Sequence, residues 1–349
     1  MDSVTTICPI MNELKAKWKK TLVSRYGDSF MPVIDVAIMA LEEITYNFYS
    51  LGLNDDHFDS EILSGDEAKY HHRMSEILVS DRLLRDGFEL SSADKGPDFK
   101  AVKDDNTIWF EVITPTPDTG LSTRLADKNA RLHPTPENNS SINLQLLLKM
   151  TGAVKEKYER IEGYIRDGII KNNDRVIIIV NDSLLSPLDV YMVGVNYEIV
   201  KGNSGLPLVV EALLGIGNSL WMGPDERGSY QIVRSERSTI LNHNNSPIST
   251  NYFLNDHYKD LTGVFILTLR EDYGISRVIY DDTENRGVLL TNENSLRPLS
   301  KKLISARFCD HEAIKKLMSS SSEKPVRNMI TKTLAGYYFD MMGKIKNMK

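Results

Sequence analysis

The stretch from Gly96 to Ile113 constrains what this chain can fold into more than any other. A first strand closes at Ala101-Val102, Thr107 to Ile113 forms a second, and Lys103-Asp104-Asp105-Asn106 is the polar turn between them. The second strand is rich in β-branched and aromatic residues, which suit a pleated sheet surface. Alternation puts Trp109, Glu111 and Ile113 on one face and Phe110 and Val112 on the other. Glu111 is therefore an acid among apolar neighbours, where an ionised carboxylate needs a cation or a set of donors. Asp98, on the partner strand, is placed to lie close to it. Two carboxylates brought together on a hairpin repel, and a divalent metal is the usual reason to tolerate that. The plainer alternative is a hairpin in which Asp98 caps a turn and an Arg or Lys satisfies Glu111.

Two helices flank this hairpin in the chain. Ser64-Gly65-Asp66-Glu67 reads as a capping box opening a helix that runs to about Arg85 and stops at Gly87. Tyr70, Met74, Ile77, Leu78 and Leu84 form its apolar stripe. Glu76 sits at the edge of that stripe, either solvent-exposed and pairing with Arg73 or Arg85, or pointing inward as a third acid. The adjacent His71 and His72 face different directions and make a poor metal site together. A polar loop to about Ser140 carries Arg124, Lys128, Arg131 and His133, basic residues that suit either phosphate or plain solvent. A second helix spans about Ile142 to Asp167. Around Met150, the residues Leu146, Leu147, Ala153, Val154, Ile161, Tyr164 and Ile165 form a buried stripe, and Lys157 falls about 20° from its centre at roughly 100° per residue. Such a Lys must snorkel to solvent or pair with buried acids. The chain thus holds acids that need a cation and a lysine that needs acids.

Pro97-Asp98, a spacer and then Glu111 on a hydrophobic strand resemble the PD-(D/E)xK nuclease superfamily, which includes many restriction endonucleases. Ile113 stands where that motif has its Lys, and Lys157 looks like the lysine relocated to the following helix, as in some branches. Glu111-Val112-Ile113-Thr114-Pro115 is similar to the strand of one bacterial group, whose helix carries basic residues at the positions of Lys149 and Lys157. The resemblance covers Glu76 to Val180 and extends more loosely through Ala212 to Gly217 and Phe253-Leu254. It implies a restriction-endonuclease-like core acting on DNA with Mg²⁺, for which Mn²⁺ substitutes. Asp98, Glu111 and the Val112 carbonyl would hold the metal, with Glu76 completing the set. Lys157 would orient or help deprotonate the attacking water, and Lys149, Arg124 and Lys128 would meet phosphates. The alternative is a catalytically degenerate member of the fold that binds nucleic acid or another protein, which Ile113 and the acidic balance favour.

The remaining features set bounds. The chain has 349 residues and a formal net charge of −6, so no global basic field draws it to nucleic acid. Two cysteines exclude a disulfide framework or a cysteine zinc site and fit a reducing cytoplasm. No signal peptide is evident, and Met31 to Leu53 is broken by Asp35, Glu42 and Glu43, so it reads as a core helix and no membrane span is expected. No Gly-rich phosphate loop, Gly-x-Ser-x-Gly elbow or His-Glu-x-x-His is present. Arg175 to Val180 is a continuous apolar run, a strand buried on both faces and parallel to a neighbour. Beyond it, Leu206 to Leu214 reads as a helix, Ser219–Met222 and Tyr230–Val233 as strands, and Leu261–Leu269 with Ser276–Tyr280 as a hairpin. An amphipathic helix from Pro325 to Ile345 either docks on the core or makes a homodimer contact. The expected organisation is a mixed α/β fold, its central mixed sheet flanked by helices: a helical region over 1–60, the nuclease-like core over 61–185 and an α/β extension over 186–349.

Overall fold

A computed structural model describes residues 3–93, 95–127, 136–186, 200–222, 231–279, 287–300 and 302–309. The chain opens with helices α1 (Ser3–Tyr26), α2 (Met31–Ser50), α3 (Phe58–Ile62) and α4 (Glu67–Arg85). Pro32 lies in the first turn of α2, where its missing N–H has no partner to lose. Val33, Ile34, Ala37, Leu41, Ile44 and Phe48 recur at helical spacing and are buried, so α2 is a core helix. Among the described residues no helix is long and apolar enough to cross a membrane. The cap of α4 differs from the Ser64–Glu67 box. Asp66 is the N-cap and accepts from the N–H groups of Ala68 and Lys69, while Glu67 turns out to Lys17. A carboxylate at the positive end of the helix dipole is the stronger acceptor.

The strands follow as β1 (Glu89–Ser91), β2 (Phe99–Lys103) and β3 (Asn106–Ile113). After the helices α5 (Thr119–Ala126) and α6 (Pro136–Arg166) come β4 (Arg175–Asn181) and α7 (Leu208–Leu214). Two small hairpins, β5 (Ile216–Met222) with β6 (Gln231–Glu236) and β7 (Thr239–Leu241) with β8 (Pro247–Ser249), precede β9 (Gly263–Leu267). The helix α8 (Tyr273–Ile279) and the strands β10 (Val288–Thr291) and β11 (Arg307–Cys309) complete the described chain.

Seven strands form one mixed sheet in the order β1-β2-β3-β4-β9-β10-β11. β3, β4 and β9 run parallel, and α5 with α6 makes the crossover from β3 to β4 that a parallel pair requires. β2 and β3 pair antiparallel across a turn in which Asp104 and Asp105 have φ of 49° and 59°, as a tight two-residue hairpin loop demands. Helices cover both faces. Phe110, Val112, Ile177, Ile179 and Phe265 pack with residues of α1 to α4 and α8, while Trp109, Ile113, Val176, Ile178 and Val180 pack with α5, α6 and α7. The sheet is continuous across residue 185, since β9, β10 and β11 extend it.

Two local expectations are overturned. The loop after the hairpin contains α5, capped by Asp118, which accepts from Leu121 N–H at 2.9 Å. The hairpin placed on Leu261–Leu269 and Ser276–Tyr280 does not form: β9 pairs with β4 and β10, and Tyr273–Ile279 is helical. The close approach of α8 to α2 explains this. A Cβ on Gly274 would stand 2.6 Å from the Ala37 carbonyl oxygen, and Tyr273 Oη donates to Asp81 at 3.0 Å. Packing on α2 and α4 overrides the β-branched composition of the segment. The helix placed at Pro325 to Ile345, with its dimer contact, and Lys128, Arg131 and His133 lie outside the described residues.

Candidate active site

The site forms where β2 stops short of the end of β3. Phe99 pairs with Phe110, and continuing that register sets Pro97 opposite Val112. In a strand a residue's N–H and C=O point to the same side. Val112 N–H donates to Asp98 Oδ2 at 2.6 Å on the β2 side. Its carbonyl lies on that same side, past the end of β2, where Pro97 has no N–H to give. The Pro97-Asp98 pair thus takes up one backbone group of Val112 and leaves the other without a ladder partner.

Glu111 points to the α6 face of the sheet, as Trp109 and Ile113 do. Lys157 lies in the buried stripe of α6, and its Nζ donates to Glu111 Oε1 at 2.8 Å. Both side chains are buried, with 2% and 3% exposed for Glu111 and Lys157. Glu111 Oε2 is buried and meets no hydrogen-bond partner. Burial and the negative charge of Asp98 push the Glu111 carboxyl up to about 7, against the pull of Lys157. Burial lowers the pKa of Lys157, but Asp98 and Glu111 outweigh it and the net direction is up. The ammonium therefore keeps its proton, and the buried Glu111 and the half-buried Asp98 share its charge.

Glu76 reaches the same neighbourhood from α4, on the other face of the sheet. Burial and Asp98 push its carboxyl well up. Its oxygens are engaged by Arg73 Nη1 at 3.1 Å and by His72 Nε2 at 3.4 Å. The His72 imidazole is held down to about 4 by burial and by the charge of Lys157, so it is neutral. One residue before Glu76, Ser75 Oγ accepts from Thr114 Oγ1 and from Asn181 Nδ2, each at 2.6 Å. That buried clamp ties α4 to the ends of β3 and β4. Sequence reasoning missed His72 as a neighbour of Glu76 and missed the Ser75–Thr114–Asn181 clamp. The i,i+4 spacing of His72 and Glu76 was the one signal that pointed to the former.

Asp98, Glu111, Lys157 and Glu76 are thus brought together; the phosphate candidates are not. Arg124 donates to Ser141 Oγ at 3.1 Å and to Gln145, tying α5 to α6. Lys149 lies near the Asp118 cap, about 12 Å along α6 from Lys157 at 1.5 Å per residue.

Among the described residues no three His, Cys, Asp or Glu side chains converge to hold a metal ion. The donor set here is smaller: Asp98, the unpartnered Oε2 of Glu111 and the Val112 carbonyl. All are hard oxygens, the kind Mg²⁺ takes while it keeps several waters. A buried carboxylate oxygen without a partner, with a second carboxylate near it, fits a divalent cation. Glu76, already held by Arg73 and His72, is left outside that set. No family model matches the chain, and neither does any curated protein or solved structure.

Proposed function

We propose that this protein is a Mg²⁺-dependent nuclease that hydrolyses phosphodiester bonds of DNA, with Mn²⁺ able to substitute. One observation carries the reading: a lysine from α6 reaches a buried strand glutamate at 2.8 Å, while the second oxygen of that glutamate stays unpartnered beside Asp98. Asp98, Glu111 and the Val112 carbonyl would hold the cation. When bound, a divalent cation supplies a water of lowered pKa and neutralises charge on the phosphate. Lys157, kept protonated by the two carboxylates, presents N–H donors toward the reacting phosphate and offsets its developing charge. Asp98 also fixes Val112 through its N–H, which holds the neighbouring carbonyl in place. Glu76 with Arg73 and His72 closes the α4 side of the cluster.

The test is cleavage of supercoiled plasmid and single-stranded DNA by purified protein with Mg²⁺, Mn²⁺ or chelator, beside Asp98→Ala. Metal-dependent cleavage that the substitution abolishes is the expected result, and activity retained by Asp98→Ala in a pure preparation refutes the assignment. A second reading is that of a catalytically degenerate fold, a nucleic-acid-binding or protein-interaction module. The bond of Lys157 to Glu111 Oε1 favours it, since a structural ion pair also accounts for the burial of both side chains. Mn²⁺ titration separates the two, because a purely structural pair binds no metal.

A further inference from the structure

A cavity of about 220 Å³ opens between α4 and α5 beyond the ends of β3 and β4, walled by His71, Thr116, Pro117, Leu125, Leu184 and Ser186. We propose that it receives one unstacked base of the nucleic-acid substrate, a reading that rests on the nuclease assignment. Its place is the first argument. Thr116 and Pro117 in its wall follow closely on Ile113, the last residue of the strand that carries Glu111. Thr116 lies two residues beyond Thr114, which is bonded to Ser75 at 2.6 Å. The cavity also lies beyond the carboxyl ends of the parallel strands β3 and β4, where open α/β sheets place their ligands.

Its chemistry is the second argument. The lining contains no Lys or Arg, and the Lys17 ammonium at its rim is taken by Glu67, so the walls themselves offer a phosphate no cation. The walls combine apolar Pro117, Leu125 and Leu184 with hydroxyls and an imidazole. Burial holds the His71 imidazole below its ordinary value, so it is neutral and offers one donor and one acceptor. Ser186 stands in the wall with a buried Oγ that has no hydrogen-bond partner. Apolar faces with a few neutral polar groups are what a flipped base needs for stacking and for edge recognition. The volume is below the roughly 300–1,000 Å³ of drug-sized sites and suits a single heteroaromatic ring system.

The test uses the full chain in chelator, which prevents turnover, with single-stranded and duplex oligonucleotides carrying 2-aminopurine at successive positions. Anisotropy of an end label reads binding, and 2-aminopurine fluorescence reads unstacking. Ala68 and Ala126 are exposed helix residues at the cavity, so Ala68→Trp and Ala126→Trp fill it without disturbing the core. The expected result is a rise of at least about twofold for one base position, lost in both variants while affinity changes less than about tenfold. Binding without any rise, or a rise that survives both substitutions, overturns the assignment of the cavity. Absence of any anisotropy change refutes the nucleic-acid reading itself, and the base pocket falls with it.

Discussion

Replacing Lys157 with Met removes the ammonium that lies 2.8 Å from Glu111 and keeps the volume of the side chain. The consequence depends on pH in a way the geometry sets. Glu111 titrates at about 7 in the folded chain against an ordinary value of 4.5. Because the folded value lies above the unfolded one, protonated Glu111 favours the native state. Its contribution is full below about 4.5 and is lost as the pH rises through about 7. Without the ammonium the carboxyl holds its proton to higher pH. Each pH step past 7 then costs the variant a further ~1.4 kcal/mol that the wild type does not lose. The variant should match or slightly exceed the wild type at pH 5.5 and fall short by about 2 kcal/mol at pH 8.5, approaching the roughly 3–5 kcal/mol of an unpaired buried charge at still higher pH. Urea unfolding at the two pH values, followed by circular dichroism and tryptophan fluorescence, measures this directly. Glu111→Gln should erase the difference between the two pH values. A loss of equal size at pH 5.5 and 8.5, or a pH dependence that survives in the Glu111→Gln background, would refute charge compensation as the role of Lys157.

Asp182 is buried, held by the Thr268 hydroxyl and by Val200 N–H at 3.4 Å, and burial pushes its carboxyl from 3.8 up to about 7. Its stabilising contribution is likewise full below the unfolded value and lost through the folded one, so Asp182→Asn should flatten the pH dependence of the unfolding free energy, measured in urea between pH 4 and 7, by up to ~4 kcal/mol. Gly274→Ala should destabilise by about 1–3 kcal/mol by forcing α8 off α2. Gly152→Ala on α6, where an added Cβ meets nothing within 4 Å, serves as the control and should instead gain about 0.5–1 kcal/mol. An unchanged midpoint for Gly274→Ala would remove that contact as the reason α8 is helical.

Local periodicity determined a large part of this protein from its sequence. The alternation along Thr107 to Ile113 set which faces Glu111 and Val112 occupy, and the structure places them on the two different sides of the sheet. The unbroken apolar run at Arg175 to Val180 announced a strand buried between two layers, and β4 is parallel to both its neighbours. The 3.6-residue stripe around Met150 put Lys157 on a buried helix face, where it is 3% exposed. These features were legible because each depends on residues within a few turns or a few strand positions of one another.

Only the tertiary structure decided what those faces meet. That Lys157 finds Glu111 across a separation of 46 residues follows from the parallel pairing of β3 and β4, which brings α6 back over the sheet. That Glu76 meets Arg73 and His72 depends on α4 lying against the other face. The segment from Tyr273 to Ile279 carries strand-like residues and becomes a helix because α2 and α4 offer it a close-packed seat. Short-range sterics and side-chain period act within a segment and can be read along the chain. Burial of a charge and the choice between strand and helix for a short apolar run depend on partners that only the folded chain supplies.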